Sequence, residues 1–388
     1  MYGDYPPGRG DGGSDFLRHL AEGMASRGFD VTAVVSSRPD RPEAYFADGG
    51  VRVEPIIRDW TLRAALAGEL GTFRRVFRDS QPNLIHLIYP DPFLRYGTDS
   101  YHLPFLIKTA TRRPMVVTFF GFGVTGASLI SKAGLLSLFA AADRIVITDP
   151  DLLRLFNRKL PWWAGKARGG LVGSVNDGNM PPWSLSELPA RKVALKLDVK
   201  RRYIGFFGFW SPDKGLESLI HALGRLRGEG HDAVLVLVGG RPPGERFPYE
   251  QGILRLAGDL GLGDCVVAAG SLPSDMVGRY LVAMDVCALP FKVNPIGRSS
   301  LALALSLGLP TVVTRPTGEY ARLLSGLALL DAPTPESIAT SIARLLEDPA
   351  AQQATADAAL RASGRWSWPS IVSDYALLYD ELLKRKGH

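Results

Sequence analysis

The sequence is poor in the residues that build disulfide frameworks and metal centres, with 2 cysteines and 6 histidines in 388 residues. Cys265 and Cys287 lie in apolar runs that predict strands, which argues against a disulfide framework or a zinc site. The histidines fall on predicted helix faces, a strand and loops, without the spacing of metal ligands. The cysteine usage therefore favours a reducing, cytoplasmic setting.

Long apolar segments are also lacking. No run reaches the ~18 to 20 residues that span a bilayer, and the N-terminus lacks the basic-then-apolar order of a signal peptide. No zinc-finger spacing, arginine-rich tail or low-complexity tract supports a nucleic-acid partner. The net charge of +6 permits anionic partners without choosing among them, and 46% hydrophobic residues with 22% charged residues are typical of a globular protein.

A regular alternation of strand and helix patterns fills the chain instead. The predicted strands of the first half are VTAVVS, VRVEPI, NLIHLI, MVVTFF, RIVIT and GLVGS, and those of the second half are YIGFFG, AVLVLVGG, CVVAAG, VCALP, TVVT and LALL. Helical patterns follow most of them, and the first helix, residues 15–27, has Ser14 as its candidate N-cap. This alternation predicts an α/β fold of two doubly wound, Rossmann-like domains with ligands at the carboxyl ends of their strands.

A polar, proline-marked stretch over residues 176–202 has no strand pattern and predicts an interdomain linker. The chain length also favours two domains over one. We expect an N-terminal domain over residues 1–175 and a C-terminal domain over residues 176–366, which includes the linker. Residues 367–388 predict a long closing helix with inward apolar positions at Ile371, Tyr375, Leu378 and Leu382.

Two strand–helix junctions in the second half place a basic side chain where an anion would bind. In YIGFFGFWSPDKG the strand ends at Gly208, and Lys214 precedes a helix that starts near Gly215. In LPFKVNPIGRSS, Arg298 precedes an apolar helix that Ser299 or Ser300 can cap. Helix N-termini favour anions through their unpaired N–H groups and dipole, so the two junctions together predict a diphosphate ligand. The alternative at each junction is a solvated basic residue beside a capped core helix.

The order of the segments resembles glycosyltransferase family 4, the retaining nucleotide-sugar enzymes with the two-domain GT-B fold around a central cleft. The resemblance covers nearly the whole chain. It is carried by YPPGRGDGGSDFLRHLAEGMASRGFDVTAVVS, GFFGFWSPDKGLESLIHAL, GSLPSDMVGRYLVAMDVCALPF followed by GLPTVVT, and WSWPSIVSDYALLY. It implies that the N-terminal domain binds the acceptor, that the C-terminal domain binds the donor, and that the closing helix returns to the N-terminal domain.

The resemblance implies transfer of a sugar from a nucleoside-diphosphate sugar to an acceptor hydroxyl or similar nucleophile. Lys214 and Arg298 would be the catalytic residues, because they stabilise the charge of the leaving diphosphate. That phosphate helps to take the acceptor's proton, so we expect no hydrolase-type carboxylate pair, no metal and no other cofactor. The DPD at residues 149–151 is similar to the metal-binding Asp-x-Asp motif, but its place between a strand and a helix favours helix capping.

The resemblance also implies a set of binding residues. Expected donor-binding residues are Gly12, Gly13, Gly208, Trp210, Gly239, Ser271, Asn294, Gly297, Ser299 and Ser300. Expected acceptor-binding residues are His86, Tyr89, Asp91, Phe120 and Gly121, with a buried core position as the alternative for His86. The acceptor would be a small molecule, a glycan or a lipid-linked molecule in carbohydrate or natural-product biosynthesis.

The sequence departs from the family pattern at three places. Phe209 and Trp210 stand where the phosphate loop usually has an arginine, whose charge Arg298 could replace, and Phe120 stands where many relatives have a histidine. The Glu-x7-Glu motif is absent, and its positions read Asn294 or Pro295 and Ala302 or Leu303. Two alternatives therefore stay open, a non-catalytic or scaffold GT-B homologue and a GT-B sugar-nucleotide epimerase.

Two further segments carry expectations of their own. Trp162 and Trp163 lie among five basic residues, which suits either weak contact with the inner membrane surface or a packed loop at the sheet end. The family has a central strand before YPP, so Met1–Asp4 are expected to be its end, with the natural start lying further upstream. Gly12 and Gly13 would then face the donor phosphates.

Overall fold

A computed structural model of the chain describes residue 5 and residues 12–37, 43–57, 70–89, 102–120, 129–175, 180–240, 248–318 and 320–385. The chain divides into two compact units. The first comprises residues 1–172 and 368–388, and the second comprises residues 173–367. Among the described residues, no helix has the length and apolarity needed to cross a membrane.

The alternation of strands and helices that the sequence predicts is present. The strands are β1 (Thr32–Ser36), β2 (Tyr45–Phe46), β3 (Arg52–Ile57), β4 (Ile85–Tyr89), β5 (Met115–Phe119), β6 (Arg144–Ile147), β7 (Ala167–Gly169), β8 (Arg202–Phe207), β9 (Ala233–Val238), β10 (Val266–Gly270), β11 (Val286–Leu289), β12 (Thr311–Thr314) and β13 (Ala328–Leu330). The described helices are α1 (Gly12–Ala25), α2 (Leu70–Ser80), α3 (Leu103–Thr111), α4 (Leu129–Ala141), α5 (Pro150–Lys159), α6 (Leu188–Ala194), α7 (Leu216–Gly228), α8 (Pro248–Asp259), α9 (Ser274–Val282), α10 (Ser299–Ser306), α11 (Tyr320–Leu323), α12 (Pro335–Glu347), α13 (Pro349–Ser363) and α14 (Trp368–Arg385).

The second unit is built on one parallel sheet of six strands in the order β10-β9-β8-β11-β12-β13. Every residue of β9 is buried, as expected for a strand covered by helices on both faces. Strand β8 lies between β9 and β11, so the loops that follow these three strands leave from the same edge of the sheet. Unit 2 thus has the doubly wound architecture that the sequence predicts.

The described strands of the first unit form two separate sheets, β1-β3-β2 and β4-β5-β6-β7. A cavity of about 310 Å³ lies between them, and Val34 of β1, Leu87 of β4 and Leu17 of α1 are among its lining residues. The expectation that Met1–Asp4 end a central strand concerns residues outside the described ones. It stays a prediction.

Helix α14 belongs to the first unit and packs on α1. All four of its predicted inward residues, Ile371, Tyr375, Leu378 and Leu382, are buried. The apolar periodicity of this segment therefore predicted its buried face correctly, because side chains three or four residues apart share one side of a helix.

Two local predictions in the first half of the chain were wrong. The strand predicted in GLVGS, residues 170–174, lies earlier as β7, because residues 167–169 pair with β6. Ser14 does not cap the first helix, since α1 already begins at Gly12 and Ser14 is buried within it.

The described part of the predicted linker, residues 180–202, is packed against the second unit. Part of it forms α6, and its Trp183 is buried with its indole N–H donating to the carbonyl of Met284 at 2.9 Å. Lys192 is also buried and pairs with Asp285 at 2.7 Å. Trp183 and Lys192 are consequently part of the packed core of the second unit.

Candidate functional site

The candidate site lies at the carboxyl ends of β8, β9 and β11 in the second unit. The backbone N–H of Gly240 donates to the carbonyl of Gly208 at 3.2 Å, and that of Gly239 donates to Gly270 at 2.9 Å. A Cβ on Gly239 would lie 2.5 Å from the Gly208 oxygen, so the glycine is required by this approach. The structure brings Gly208 and Gly239 together, and Ser271 follows as an exposed residue at the end of β10.

The loop after β8 packs tightly against the loop after β11. Gly215 precedes α7 in a left-handed conformation, and a Cβ there would lie 2.0 Å from the carbonyl oxygen of Pro290. The N–H of Lys292 also donates to the carbonyl of Asp213 at 2.8 Å. These backbone contacts fix the turn at residues 212–214 immediately before the N-terminus of α7.

Lys214 lies in this turn with only 12% of its side chain exposed. Its Nζ is 4.8 Å from the ring centroid of Phe291 and 3.7 Å from Oδ2 of Asp213. The aromatic face and the carboxylate both favour the charged ammonium. Lys214 therefore lies between an aromatic face and a carboxylate, immediately before the N-terminus of α7, where the sequence places it.

Arg298 reaches the same carboxylate from the next junction. Its Nη1 lies 3.7 Å from Oδ2 of Asp213, and 27% of its side chain is exposed. Lys214 and Arg298 thus converge on one oxygen atom, although they come from loops after two different strands. This convergence produces a positively charged site at the sheet edge.

Sequence reasoning missed Asp213. Burial raises the pKa of its carboxyl, but Lys214, a hydrogen bond from Ser211 and Arg298 together outweigh burial and hold the pKa below its ordinary value. The carboxylate is accordingly ionised at neutral pH. The acidic residue next to the lysine in SPDKG was the available signal.

The serines do not cap α10. Arg298 is the N-cap residue, and no side chain bonds the first turn at that position. Ser300 is buried and faces the loop after β8, where a Cβ on Gly208 would lie 4.0 Å from its hydroxyl oxygen. The prediction that Ser299 or Ser300 caps this helix was wrong.

Asn294 is buried and shapes the loop before α10. Its Nδ2 donates to the hydroxyl of Thr317 at 2.7 Å, and its Oδ1 accepts from the N–H of Ile296 at 3.1 Å. Gly297 follows with a positive φ of 81°. Ala302 and Leu303 are buried in α10 and offer no polar group at the second position of the missing glutamate motif.

Two aromatic residues follow Gly208. Phe209 is 54% exposed, so the residue in the usual arginine position faces solvent. Trp210 is buried, and its Nε1 lies 3.6 Å from the position that a Cβ on Gly240 would take. That indole N–H has no hydrogen-bond partner among the described residues. Trp210 therefore places an unused donor at the ends of β8 and β9.

The candidates of the first unit lie at the ends of β4 and β5 and at the start of α1. Tyr89 is buried and stacks on Phe119 with ring centroids 5.4 Å apart, while Phe120 meets Phe16 edge-on at 4.9 Å. Gly12 and Gly13 form the first turn of α1. Two further acceptor candidates lie outside the described residues, Asp91 and Gly121.

His86 belongs to a buried polar network beneath α14. Its Nδ1 lies 2.6 Å from the hydroxyl of Tyr379, its Nε2 lies 2.8 Å from the hydroxyl of Thr118, and Thr118 lies 2.8 Å from the hydroxyl of Tyr375. Burial lowers the pKa of His86 to about 3, so the imidazole is neutral at neutral pH. Both ring nitrogens are used inside the unit, which favours the core alternative.

The remaining motifs have structural explanations. Asp149 is the N-cap of α5, and its side chain accepts from the N–H groups of Asp151 and Leu152 at 2.9 and 3.2 Å. The capping interpretation of DPD is therefore confirmed. Trp163 packs against the core at 6.0 Å from Phe139, whereas Trp162 is 68% exposed.

Two family models match the chain. The one described as "Glycosyl transferase 4-like domain" matches residues 11–168, and the one described as "Glycosyl transferases group 1" matches residues 201–348. Together they cover most of both units.

Curated relatives carry glycosyltransferase names. A GDP-mannose-dependent alpha-(1-6)-phosphatidylinositol monomannoside mannosyltransferase of Mycolicibacterium smegmatis is 30% identical over 40% of this chain, and the match spans 42% of that enzyme. A D-inositol 3-phosphate glycosyltransferase of Acidothermus cellulolyticus is 24% identical over 98% of this chain and 88% of its own length. Some relatives are thus matched over less than half of their length and others over nearly all of it.

Solved structures share the fold. A sucrose-phosphate synthase from Thermosynechococcus elongatus superposes with a TM-score of 0.76 at 21% identity, covering 96% of this chain and 94% of that one. Anabaena HepE in complex with UDP-glucose superposes with a TM-score of 0.72 at 18% identity, covering 98% of both chains. These similarities concern the two-domain GT-B architecture.

Proposed function

The chain belongs to glycosyltransferase family 4, and on that premise we propose that it is a retaining, metal-independent enzyme that transfers a sugar from a nucleoside-diphosphate sugar to an acceptor hydroxyl. The convergence of Lys214 and Arg298 on one point at the sheet edge carries the proposal. The second unit would bind the donor, and the first unit would bind the acceptor.

The proposed chemistry follows from the charge of the leaving group. When the bond from the sugar to the diphosphate breaks, negative charge develops on the diphosphate oxygens. Lys214, Arg298 and the N-terminus of α7 are fixed before the reaction and stabilise that charge. The acceptor oxygen forms the new bond to the anomeric carbon on the face that the diphosphate leaves, and a diphosphate oxygen accepts the proton of that hydroxyl. These cations supply the stabilisation that a metal ion supplies in other transferases.

The test is a panel of UDP-, GDP-, ADP- and dTDP-sugars, measured by thermal shift and by donor hydrolysis. One donor is expected to raise the melting temperature, since a ligand that binds only the folded state stabilises it. Lys214→Ala and Arg298→Ala should each lower kcat by about 10²- to 10³-fold. Arg225→Ala is the control, because Arg225 lies near the opposite end of α7 and pairs with Glu336.

The finer parts of the proposal have their own measurements. Activity should be unchanged in EDTA, and the product should have the anomeric configuration of the donor by NMR. Absence of any nucleotide effect, with both site variants behaving as the wild type, would contradict the enzyme proposal. Isomerised donor without acceptor would indicate an epimerase, and binding without turnover would indicate a non-catalytic homologue.

A further inference from the structure

We propose that Asp213 is a positioning residue of the donor site: its carboxylate holds Lys214 and Arg298 next to each other and is exchanged for the donor's diphosphate on binding. The inference rests on the proposed function and adds a residue and an exchange step to it. Both cations lie 3.7 Å from the same oxygen, Oδ2, and they come from separate loops.

The carboxylate is anchored independently of the two cations. The hydroxyl of Ser211 donates a hydrogen bond to the other oxygen, Oδ1. The carbonyl of Asp213 accepts from the N–H of Lys292 at 2.8 Å, and Gly215 is pressed against Pro290 two residues later. Asp213 consequently stays in place when Lys214 or Arg298 changes partner.

The contact of each cation with Asp213 is longer than a hydrogen bond. A separation of 3.7 Å is an ion pair without a direct hydrogen bond, since N–H···O bonds have donor–acceptor distances of about 2.7 to 3.2 Å. A diphosphate carries more negative charge than one carboxylate and can accept hydrogen bonds from both cations at once. Exchange of Asp213 for diphosphate therefore strengthens the contacts of Lys214 and Arg298.

The charges explain why an acid is needed between the cations. Without Asp213, an ammonium and a guanidinium at the N-terminus of α7 repel each other and the helix dipole. With Asp213, the three side chains carry one net positive charge, and the cations stay together before the ligand arrives. The carboxylate also competes with the diphosphate for the two cations. It therefore keeps the cations in position but lowers the affinity for the diphosphate.

The neighbouring pair of Glu217 and Lys292 offers a matched control. Glu217 lies in the first turn of α7, and Lys292 Nζ is 3.1 Å from its Oε2. Glu217→Gln removes a carboxylate from the same helix start but leaves Lys214 and Arg298 with their shared partner. A nonspecific effect of added positive charge would appear in both variants.

The experiment measures inorganic pyrophosphate binding by calorimetry and donor kinetics for the wild type, Asp213→Asn, Asp213→Glu and Glu217→Gln. Asp213→Asn should bind pyrophosphate about tenfold more tightly, because the competing charge is gone. It should also lower kcat together with the KM for the donor, since the cations lose their fixed position. Asp213→Glu should restore part of kcat, and Glu217→Gln should change pyrophosphate affinity less than twofold.

The outcomes separate this inference from the proposed function. Folded Asp213→Asn with unchanged or weaker pyrophosphate binding overturns the exchange. Equal tightening in Glu217→Gln overturns it as well, because the effect would then be general electrostatics. If the wild type turns over no nucleotide sugar while Asp213→Asn still tightens pyrophosphate binding, the proposed reaction fails and the exchange stands.

Discussion

The two units share the alternation of strands and helices but differ in where their polar side chains lie. In the second unit, one continuous six-stranded sheet brings polar and charged side chains to the ends of β8 and β11. In the first unit, the described strands form two sheets. Beneath α14, His86 forms hydrogen bonds with Thr118 and Tyr379. The polar groups near β8 and β11 are thus placed at the sheet edge, whereas those of His86 and Thr118 are used inside the core of the first unit.

The largest effect is expected from Gly215→Ala, which tests whether the second unit depends on its loop packing. A Cβ at this position would lie 2.0 Å from the backbone oxygen of Pro290, and the residue has a positive φ of 71°. We expect the free energy of unfolding to fall by about 3 kcal/mol or more, because backbone must move. Urea unfolding followed by circular dichroism measures it.

Gly228→Ala is the control at the other end of α7. Nothing lies within 4 Å of a Cβ there, so this variant should be neutral or more stable by about 0.5 kcal/mol. Equal losses in the two glycine variants would contradict the assigned role of the contact between Gly215 and Pro290.

A smaller effect is expected from His86→Phe, which tests the network of the first unit. The substitution removes the bond from His86 to the hydroxyl of Tyr379, whereas the hydroxyl of Thr118 keeps that of Tyr375 as a partner. The free energy of unfolding should fall by about 1 to 3 kcal/mol at pH 7, the cost of one buried unsatisfied group. His221→Ala, on the exposed face of α7, should change it by less than about 0.5 kcal/mol. A similar loss in both histidine variants would disprove a special role for the network.

The smallest effect is a pH dependence that belongs to the first unit alone. The pKa of His86 is lowered to about 3 in the folded chain, against about 6.5 when unfolded. Between these values the unfolded chain binds the extra proton, so the stability that His86 contributes is present above about pH 6.5 and is lost as the pH falls. The slope from this group is at most about 1.4 kcal/mol per pH unit.

The measurement is the difference between the wild type and His86→Phe in urea unfolding at pH 7, 6 and 5. The difference should shrink toward pH 5, because the wild type alone loses the contribution of a neutral histidine. A difference that stays constant would show that His86 titrates as an ordinary exposed group.

The sequence predicted the repetitive features well and the shared contacts poorly. Strand β9 and the buried face of α14 follow from apolar runs and from the 3.6-residue period, which are local properties. The capping role of Asp149 is local as well, because the bonded N–H groups lie two and three residues away. The packing of the linker segment was not predicted, since the burial of Trp183 depends on Met284, about one hundred residues later.

The candidate site divides in the same way. The positions of Lys214 and Arg298 were predictable because each stands between a strand pattern and a helix pattern in the sequence. Asp213 was not, since its significance depends on Arg298, which approaches from another junction. The sequence around His86 suggested a strand end near the acceptor. In the structure, His86 belongs to a hydrogen-bond network that includes two tyrosines of α14.

The sequence by itself determined the order of strands and helices, the doubly wound class and the two basic junctions. These features are local, because the hydrophobic periodicity and the start of a helix depend on residues close together in the chain. The tertiary structure decided that Lys214 and Arg298 meet at one carboxylate and that His86 is closed off beneath α14. Both outcomes depend on which strands become neighbours in a sheet and which helix covers them, and those partners lie up to almost three hundred residues apart in the chain.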